Sequence, residues 1–208
     1  MNQKMFIIAF VSCLFLASCS VAYSPVGGRY VSSDENFAIE LPQRWWQHNL
    51  ANDQLADFIK ILEKRRKLSW DTLRLTRDGL LLQQIGIGRV PVTDELPYSK
   101  RKLAANMIPL EAAEVVGNNF RSNPNLNHSE ILENAPATLG GYPGFKLHYA
   151  YGTEDELKVE GLFYGTLVGP WLYYVLYEAP AQYYFAQDLQ LFERTRSSFE
   201  ILRGAGAQ

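Results

Sequence analysis

The chain has 208 residues and a nearly balanced charge, with 20 Lys and Arg against 22 Asp and Glu and a formal net charge of −2. Such a mildly acidic chain lacks the basic surface typical of nucleic-acid binding, which argues against that class of partner. Its 47% hydrophobic and 13% aromatic residues suffice for a packed core, and the length fits one domain or at most two small ones.

The N-terminus has the build of a secretory signal peptide. Residues 1–4 form a short, positively charged start, and residues 5–16 are apolar. This run of about a dozen residues is too short to span a bilayer, which needs roughly 20. It ends in Leu16-Ala17-Ser18-Cys19, which resembles the lipobox of bacterial lipoproteins. The resemblance implies that residues 1–18 are removed as a lipoprotein signal peptide and that Cys19 is acylated on its sulfur and its amine.

Acylation of Cys19 would attach the protein to a lipid bilayer. Each buried CH₂ group contributes about 0.8 kcal/mol, so two or more acyl chains give a stable anchor where one gives only marginal binding. By the same resemblance, Ser20 after the cysteine permits sorting to the outer membrane of a Gram-negative cell. We therefore expect a protein anchored in the outer membrane and facing the periplasm. The alternative is an ordinary signal peptide, cleaved after another small residue near Cys19.

The region after the cysteine is small and polar. Residues 19–28 are predicted to form the lipidated N-terminus and a tether, because they contain Pro25, Gly27 and Gly28. Such a segment reaches roughly 30 Å at most. The other cysteine, Cys13, lies in the signal peptide, so the mature domain has no disulfide and depends on packing.

In the first half of the domain, the sequence pattern predicts two strand regions separated by a helix. Phe37, Ile39 and Leu41 alternate with less apolar residues and predict a strand that ends at Pro42. Apolar residues then recur at helical spacing over residues 53–62, with Asn52 or Asp53 as the N-cap. The cations of residues 64–67 suit the end of that helix, either solvated or in contact with anionic lipid or a partner. Residues 73–75 and 80–90, joined by a turn at 77–79, predict a hairpin.

The second half predicts a helix, a meander and a closing helix. Residues 91–106 are expected to form a surface loop, after which Pro109 opens a helix with a buried face. That face consists of Leu110, Ala113, Val116 and Phe120. Strands are predicted at 131–139, 145–151, 157–167 and 171–178, followed by a helix over 183–197 and a disordered tail at 204–208. This order predicts an α+β fold with a mostly antiparallel sheet of about six or seven strands, flanked by helices, in one domain over residues 29–203.

In this order of elements the chain resembles the PsbP-like or Mog1-like domains, which include bacterial lipoproteins of unknown role. The resemblance rests on four stretches: Phe37-Ala38-Ile39-Glu40-Leu41-Pro42 before Trp45, Gly141-Tyr142-Pro143-Gly144-Phe145, Tyr177-Glu178-Ala179-Pro180, and Ser198-Phe199. The chain departs from the pattern at Arg44, where many relatives have Gly, and in the basic helix after Asn52. The resemblance implies a domain that mostly acts as a binding or assembly factor, and it carries over no catalytic residue.

The residues typical of catalytic and metal sites do not group in this sequence. His48, His128 and His148 are widely separated, and no cysteine joins them to complete a zinc site. The Gly86–Arg89 stretch lacks the third glycine of a phosphate loop and predicts a strand whose glycines allow a bulge or close packing. The pair Asp155-Glu156 is expected in a solvated turn. We predict no catalytic residue, no metal, no cofactor and no enzymatic activity.

Aromatic residues are crowded into the meander, and they give the one candidate for a ligand site. Tyrosine and tryptophan bury a large area while keeping a polar tip, which favours them at binding surfaces. The candidate ligand-binding residues are Tyr149, Tyr151, Tyr164, Trp171 and Tyr173. In the alternative interpretation, alternate tyrosines simply cover the two faces of a sheet beneath the flanking helices.

The leading functional hypothesis is a lipid-anchored periplasmic protein that binds an unidentified envelope protein or ligand without catalysis. Its expected partners are the lipid bilayer, through acylated Cys19, and that envelope component. Two alternatives stay open. One is an enzyme acting on an envelope or imported substrate, and the other is a structural subunit of an envelope complex.

Overall fold

A computed structural model of the chain describes residues 23–48, 71–80 and 82–202. The expected signal peptide, Cys19, the basic helix after Asn52 and the tail at 204–208 lie outside these residues. Within them, no helix is long and apolar enough to cross a membrane.

The described residues form nine strands and two helices. The strands are β1 (Tyr23–Ser32), β2 (Phe37–His48), β3 (Asp71–Thr76), β4 (Gln84–Pro91), β5 (Asn127–Leu139), β6 (Tyr142–Gly152), β7 (Lys158–Val168), β8 (Trp171–Pro180) and β9 (Glu200–Ile201), and the helices are α1 (Pro109–Arg121) and α2 (Tyr184–Ser197). All strand pairs are antiparallel in the order β1-β2-β3-β4-β8-β7-β6-β5, with β9 paired to β2. The α+β class is confirmed, and the sheet has more strands than the six or seven expected.

One of the additional strands comes from the segment expected to be a tether. Residues 23–28 form the first half of β1, in which Tyr23 is opposite His48 and Pro25 is opposite Trp46. A proline, which has no backbone N–H to donate, is tolerated here because among the described strands β1 is an edge strand that pairs only with β2. The sheet therefore begins at Tyr23, only four residues after Cys19.

The second strand continues past Pro42, where the sequence predicts an end. The pairing jumps from Val26–Trp45 to Gly28–Leu41, so β2 bulges over residues 42–44. Arg44 adopts a left-handed backbone with φ of 63°. The residues of a bulge do not take part in regular pairing, so a proline is tolerated there within a strand. The bulge also bends the hairpin.

The central strands are buried on both faces, and each face has its own core. Along β7, Val159 and Phe163 face the core beneath α1, whereas Leu162 and Tyr164 face the core beneath α2. Successive side chains of β7 thus alternate between the two cores. The sheet is therefore a middle layer between two helices rather than an open platform.

The two helices match the predicted starts, with one difference in the buried face of α1. Pro109 is the first residue of α1, and the side chain of Glu111 accepts a hydrogen bond from the backbone N–H of Ile108 at 3.3 Å. Leu110 was expected inside but is 40% exposed, because the packed face is formed by Ala112, Ala113 and later residues. The closing helix buries Phe185 and Phe192.

The loop over residues 91–106 was expected to lie on the surface, but it is partly built into the core. Leu96 and Leu103 are buried in the cluster beneath α1. Asn119 of α1, itself buried, accepts hydrogen bonds from the backbone N–H groups of Tyr98 and Ser99 at 3.0 and 3.2 Å. The loop is thereby fixed to the helix that follows it.

Candidate functional site

The five aromatic residues predicted to bind a ligand do not meet in one place. Tyr149 and Tyr151 belong to the core beneath α1, and Tyr164 and Tyr173 belong to the core beneath α2. All four are buried. Trp171 is half-buried at the start of β8, with the guanidinium of Arg89 3.8 Å above its ring. The tyrosines thus fill two separate interiors, and ligand binding by them stays a prediction.

Beneath the tyrosines lies a buried polar cluster that the sequence interpretation did not single out. The hydroxyl of Tyr149 donates to Glu178 at 2.8 Å, and the amide of Gln84 donates to the other oxygen of Glu178. The hydroxyl of Tyr174 donates to Asp71 at 2.6 Å. The guanidinium of Arg74 donates to the second oxygen of Asp71 at 3.0 Å. We call these residues the polar cluster; they are Asp71, Arg74, Gln84, Tyr149, Tyr174 and Glu178.

Burial governs the electrostatics of the polar cluster. Desolvation raises the pKa of the Asp71 carboxyl, and the adjacent Arg74 opposes that shift. Burial also raises the pKa of the Tyr174 hydroxyl well above its ordinary value, with the neighbouring Asp71 adding to the shift. The tyrosine therefore stays protonated and serves as a hydrogen-bond donor. The buried carboxylates of Asp71 and Glu178 are thus satisfied by donors that belong to the fold.

The space beside the polar cluster is too small for a substrate. The cavity measures about 20 Å³ and is lined in part by Asp71, Glu178 and Phe120. A single water needs roughly 10–15 Å³ measured in this way, so one water is what it can hold. Asp71 approaches Gly86 so closely that an added Cβ would lie 2.8 Å from its Oδ1. This contact confirms that the Gly86–Arg89 stretch is a strand with close packing at a glycine.

A larger apolar space opens at the start of α1. Its volume is about 190 Å³, and its walls come from the end of the 91–108 loop, the start of β6 and the end of β7. We call it the α1 groove; it is lined by Ala105, Met107, Pro109, Pro143, Phe145 and Leu167. An apolar cavity of roughly 150 Å³ takes up benzene. The α1 groove can therefore accept an apolar side chain.

Exposed apolar and basic residues lie close in sequence to the first lining residues of the α1 groove. Ile108, between two of its lining residues, is 59% exposed. A run of three exposed cations, Lys100-Arg101-Lys102, ends three residues before the first lining residue. The backbone carbonyl of Leu96 accepts a hydrogen bond from the N–H of Lys100 at 3.0 Å, and its N–H donates to the carbonyl of Arg101 at 2.8 Å. These bonds fix the backbone of the first two cations.

The other polar residues considered as candidates for a catalytic or metal site are bonded within the fold or lie far from one another. His148 is 2.9 Å from Glu160 and stacks on Phe185. Among the described residues, no group of three or more potential ligands could hold a metal ion. The Asp155-Glu156 pair lies exposed in the turn between β6 and β7, as the sequence predicts.

Comparisons with known proteins show the fold and not the family. No family model matches the sequence, and no curated protein matches it significantly. The solution structure of cyanobacterial PsbP from Synechocystis sp. PCC 6803 aligns with a TM-score of 0.54 at 11% identity, covering 83% of this chain and 91% of that one. LpqN of Mycobacterium tuberculosis, a protein involved in cell envelope biogenesis, aligns with a TM-score of 0.53 at 10% identity over 87% of this chain and 91% of that one.

The Ran-binding protein Mog1p of Saccharomyces cerevisiae aligns with a TM-score of 0.50 at 9% identity, over 86% of this chain and 97% of that one. The chain therefore has the PsbP/Mog1-like fold, as its motifs predict. At these identities the likeness shows the fold alone, and Ran binding and envelope biogenesis are properties of those neighbours.

Proposed function

We propose that this chain is a lipid-anchored envelope protein that acts as a non-catalytic binding module. The α1 groove receives an apolar side chain from an acidic segment of a partner protein. The observation that carries this proposal is the apolar volume of about 190 Å³ beside the exposed Ile108. The three exposed cations of residues 100–102, close to the groove in sequence, supply charge complementarity for the acidic residues of that segment.

The anchoring half of the proposal rests on the sequence at Leu16–Cys19. The fold is compatible with a binding role, since Mog1p is a Ran-binding protein and LpqN is involved in envelope biogenesis. An enzyme has less support, because the polar cluster encloses a space of about 20 Å³ and its carboxylates bond to donors of the fold.

A crosslinking experiment tests the binding half. A photoreactive residue at Ile108 is expected to capture one defined partner in cells, and the charge reversal K100E/R101E/K102E should abolish that product. The matched control, Lys158→Glu, reverses an exposed cation at the start of β7 and should leave it intact. A photoreactive residue at the exposed Tyr183 should not capture the same partner. Equal capture from both sites, or capture insensitive to the charge reversal, would overturn the proposal.

Metabolic labelling tests the anchoring half. Labelled palmitate is expected on the wild-type protein and not on Cys19→Ser, because the acylated sulfur is removed. Label that persists on the variant would show that Cys19 is not the lipidated residue.

A further inference from the structure

One face of the β1–β2 hairpin carries exposed aromatic side chains near the start of the described chain. Tyr23 is opposite His48, and Pro25 is opposite Trp46. Residues opposite each other, and residues two apart on a strand, point to the same side of a sheet. These side chains therefore share one face, which we call the hairpin face. It presents Tyr23 at 36% exposure, Trp46 at 44% and the exposed Pro25, whereas His48 is buried with its ring against that of Tyr23.

The hairpin face lies apart from the two helices. Helix α1 packs on β5, β6 and β7, at the opposite edge of the sheet. Helix α2 packs on β8 and on the other face of the hairpin, where Trp45 is fully buried. Two consecutive tryptophans thus have opposite environments. Burial in the core explains Trp45, whereas nothing in the described core requires an indole at position 46.

The position of the hairpin face relative to Cys19 indicates what it contacts. Tyr23 is the fourth residue after Cys19, and such a segment spans at most about 14 Å. A backbone that is acylated at Cys19 starts at the lipid headgroups, whose layer is roughly 5 to 7 Å thick on each side of the bilayer. Tyr23 is then held at or just above that layer. Tryptophan and tyrosine are enriched at this depth because their rings are apolar and their tips are polar.

We infer that the hairpin face, formed by Tyr23, Pro25 and Trp46, rests on the headgroup layer of the membrane that holds the acyl chains. This inference rests on the proposed lipidation of Cys19. The contact orients the domain on the bilayer, which a flexible tether alone would leave free to rotate. The occupant of the face is the lipid surface itself, and not a protein partner.

The test uses the full lipidated protein in vesicles of phosphatidylethanolamine and phosphatidylglycerol. Some of the lipids carry bromine on acyl carbons near the headgroup, which quenches nearby tryptophans. The wild-type protein is expected to be quenched, and Trp46→Phe should lose most of that quenching. Trp171→Phe, which alters the half-buried tryptophan at the start of β8, should keep it. Unfolding midpoints measured on both variants identify any loss that comes from misfolding.

The outcomes separate this inference from the proposed function. If Cys19 carries no palmitate, the proposed anchoring fails before the vesicle experiment is made. If Cys19 is labelled but Trp46→Phe leaves the quenching unchanged, the hairpin face does not touch lipid and only this inference is overturned. A Trp46 that is shielded from both brominated lipid and aqueous acrylamide would mean that residues 49–70, a second copy or a partner covers the face, which also overturns it.

Discussion

Replacing Gly161 with Ala is the sharpest test of how the core beneath α1 is packed. Gly161 on β7 is opposite Tyr149 on β6, and the tyrosine ring lies across the glycine backbone. An added Cβ would overlap the ring carbon Cζ and would lie 2.6 Å from the hydroxyl oxygen. The ring has no room to retreat, because it stacks on Phe120 with centroids 4.5 Å apart and is fully buried.

The expected cost has two parts. Overpacking a well-filled core costs about 1–3 kcal/mol. Displacement of the ring also strains or breaks the 2.8 Å hydrogen bond from Tyr149 to Glu178, and hydrogen bonds to charged groups are worth about 1.5–3 kcal/mol. We therefore expect Gly161→Ala to lower the free energy of unfolding by about 3 to 5 kcal/mol.

Urea denaturation of the purified protein measures this loss, with Gly152→Ala as the matched control. An added Cβ at Gly152 would lie 3.5 Å from the backbone oxygen of Asn127, an ordinary contact, so a change within about 0.5 kcal/mol is expected. The variant Tyr149→Leu removes the ring, and in that background Gly161→Ala should cost less than half as much. A cost below about 0.5 kcal/mol, or additive costs in the double variant, would refute the packing argument.

Three further substitutions test other parts of the fold by urea denaturation or hydrogen exchange. Arg77→Met removes the cation that donates to the buried Asp188 at 2.6 Å and should cost about 3 kcal/mol at pH 7. Burial already raises the pKa of Asp188 against the pull of Arg77, so the variant raises it further, and the loss should shrink as the pH falls from 7 towards 5; equal losses would contradict this. Arg44→Gly should stabilise the protein by about 0.5–1 kcal/mol, because it removes the left-handed strain of the bulge, whereas Arg44→Ala should not. Asn119→Ala should speed amide exchange at Tyr98 and Ser99, and unchanged exchange would show that this side chain does not fix the loop.

The meander and the two helices could be predicted from sequence because their signals are local. Strands β6, β7 and β8 follow one another through short turns, and their side chains alternate with a period of two. Helix α1 begins at Pro109, where a missing N–H costs nothing. These elements depend little on distant residues, so the sequence pattern and the structure agree.

The first strand could not be predicted because its own residues do not favour a strand. Pro25, Gly27 and Gly28 are typical of a linker, and they form a strand only because β2 offers an edge beside them. Pro42 normally ends a strand, but the bulge over residues 42–44 absorbs it. Both cases are decided by the partner strand and not by local propensity.

The polar cluster could not be predicted either, because its residues are distant in sequence and meet only in the folded sheet. Tyr149 on β6 and Glu178 on β8 are 29 residues apart in sequence. They meet because β7 pairs with both strands, and the two side chains point to the same face of the sheet. One signal was present, since Glu178 shares its alternating face with Tyr174 and Leu176, which places a carboxylate in an apolar row. A charged residue at such a position indicates a buried partner, although the pattern does not identify it.

The burial of both sheet faces determines where this domain can bind anything. The tyrosine-rich strands form the middle layer, so changes there are expected to act through stability, as Gly161→Ala does. Any binding is then expected at the margins, namely at the α1 groove beside the start of β6 and the end of β7, and at the hairpin face near the opposite edge. Substitutions at Ile108 or Trp46 should therefore change partner capture or membrane contact while leaving the free energy of unfolding within about 0.5 kcal/mol of wild type. A large loss of stability at either position would mean that these side chains belong to the core and not to a binding surface.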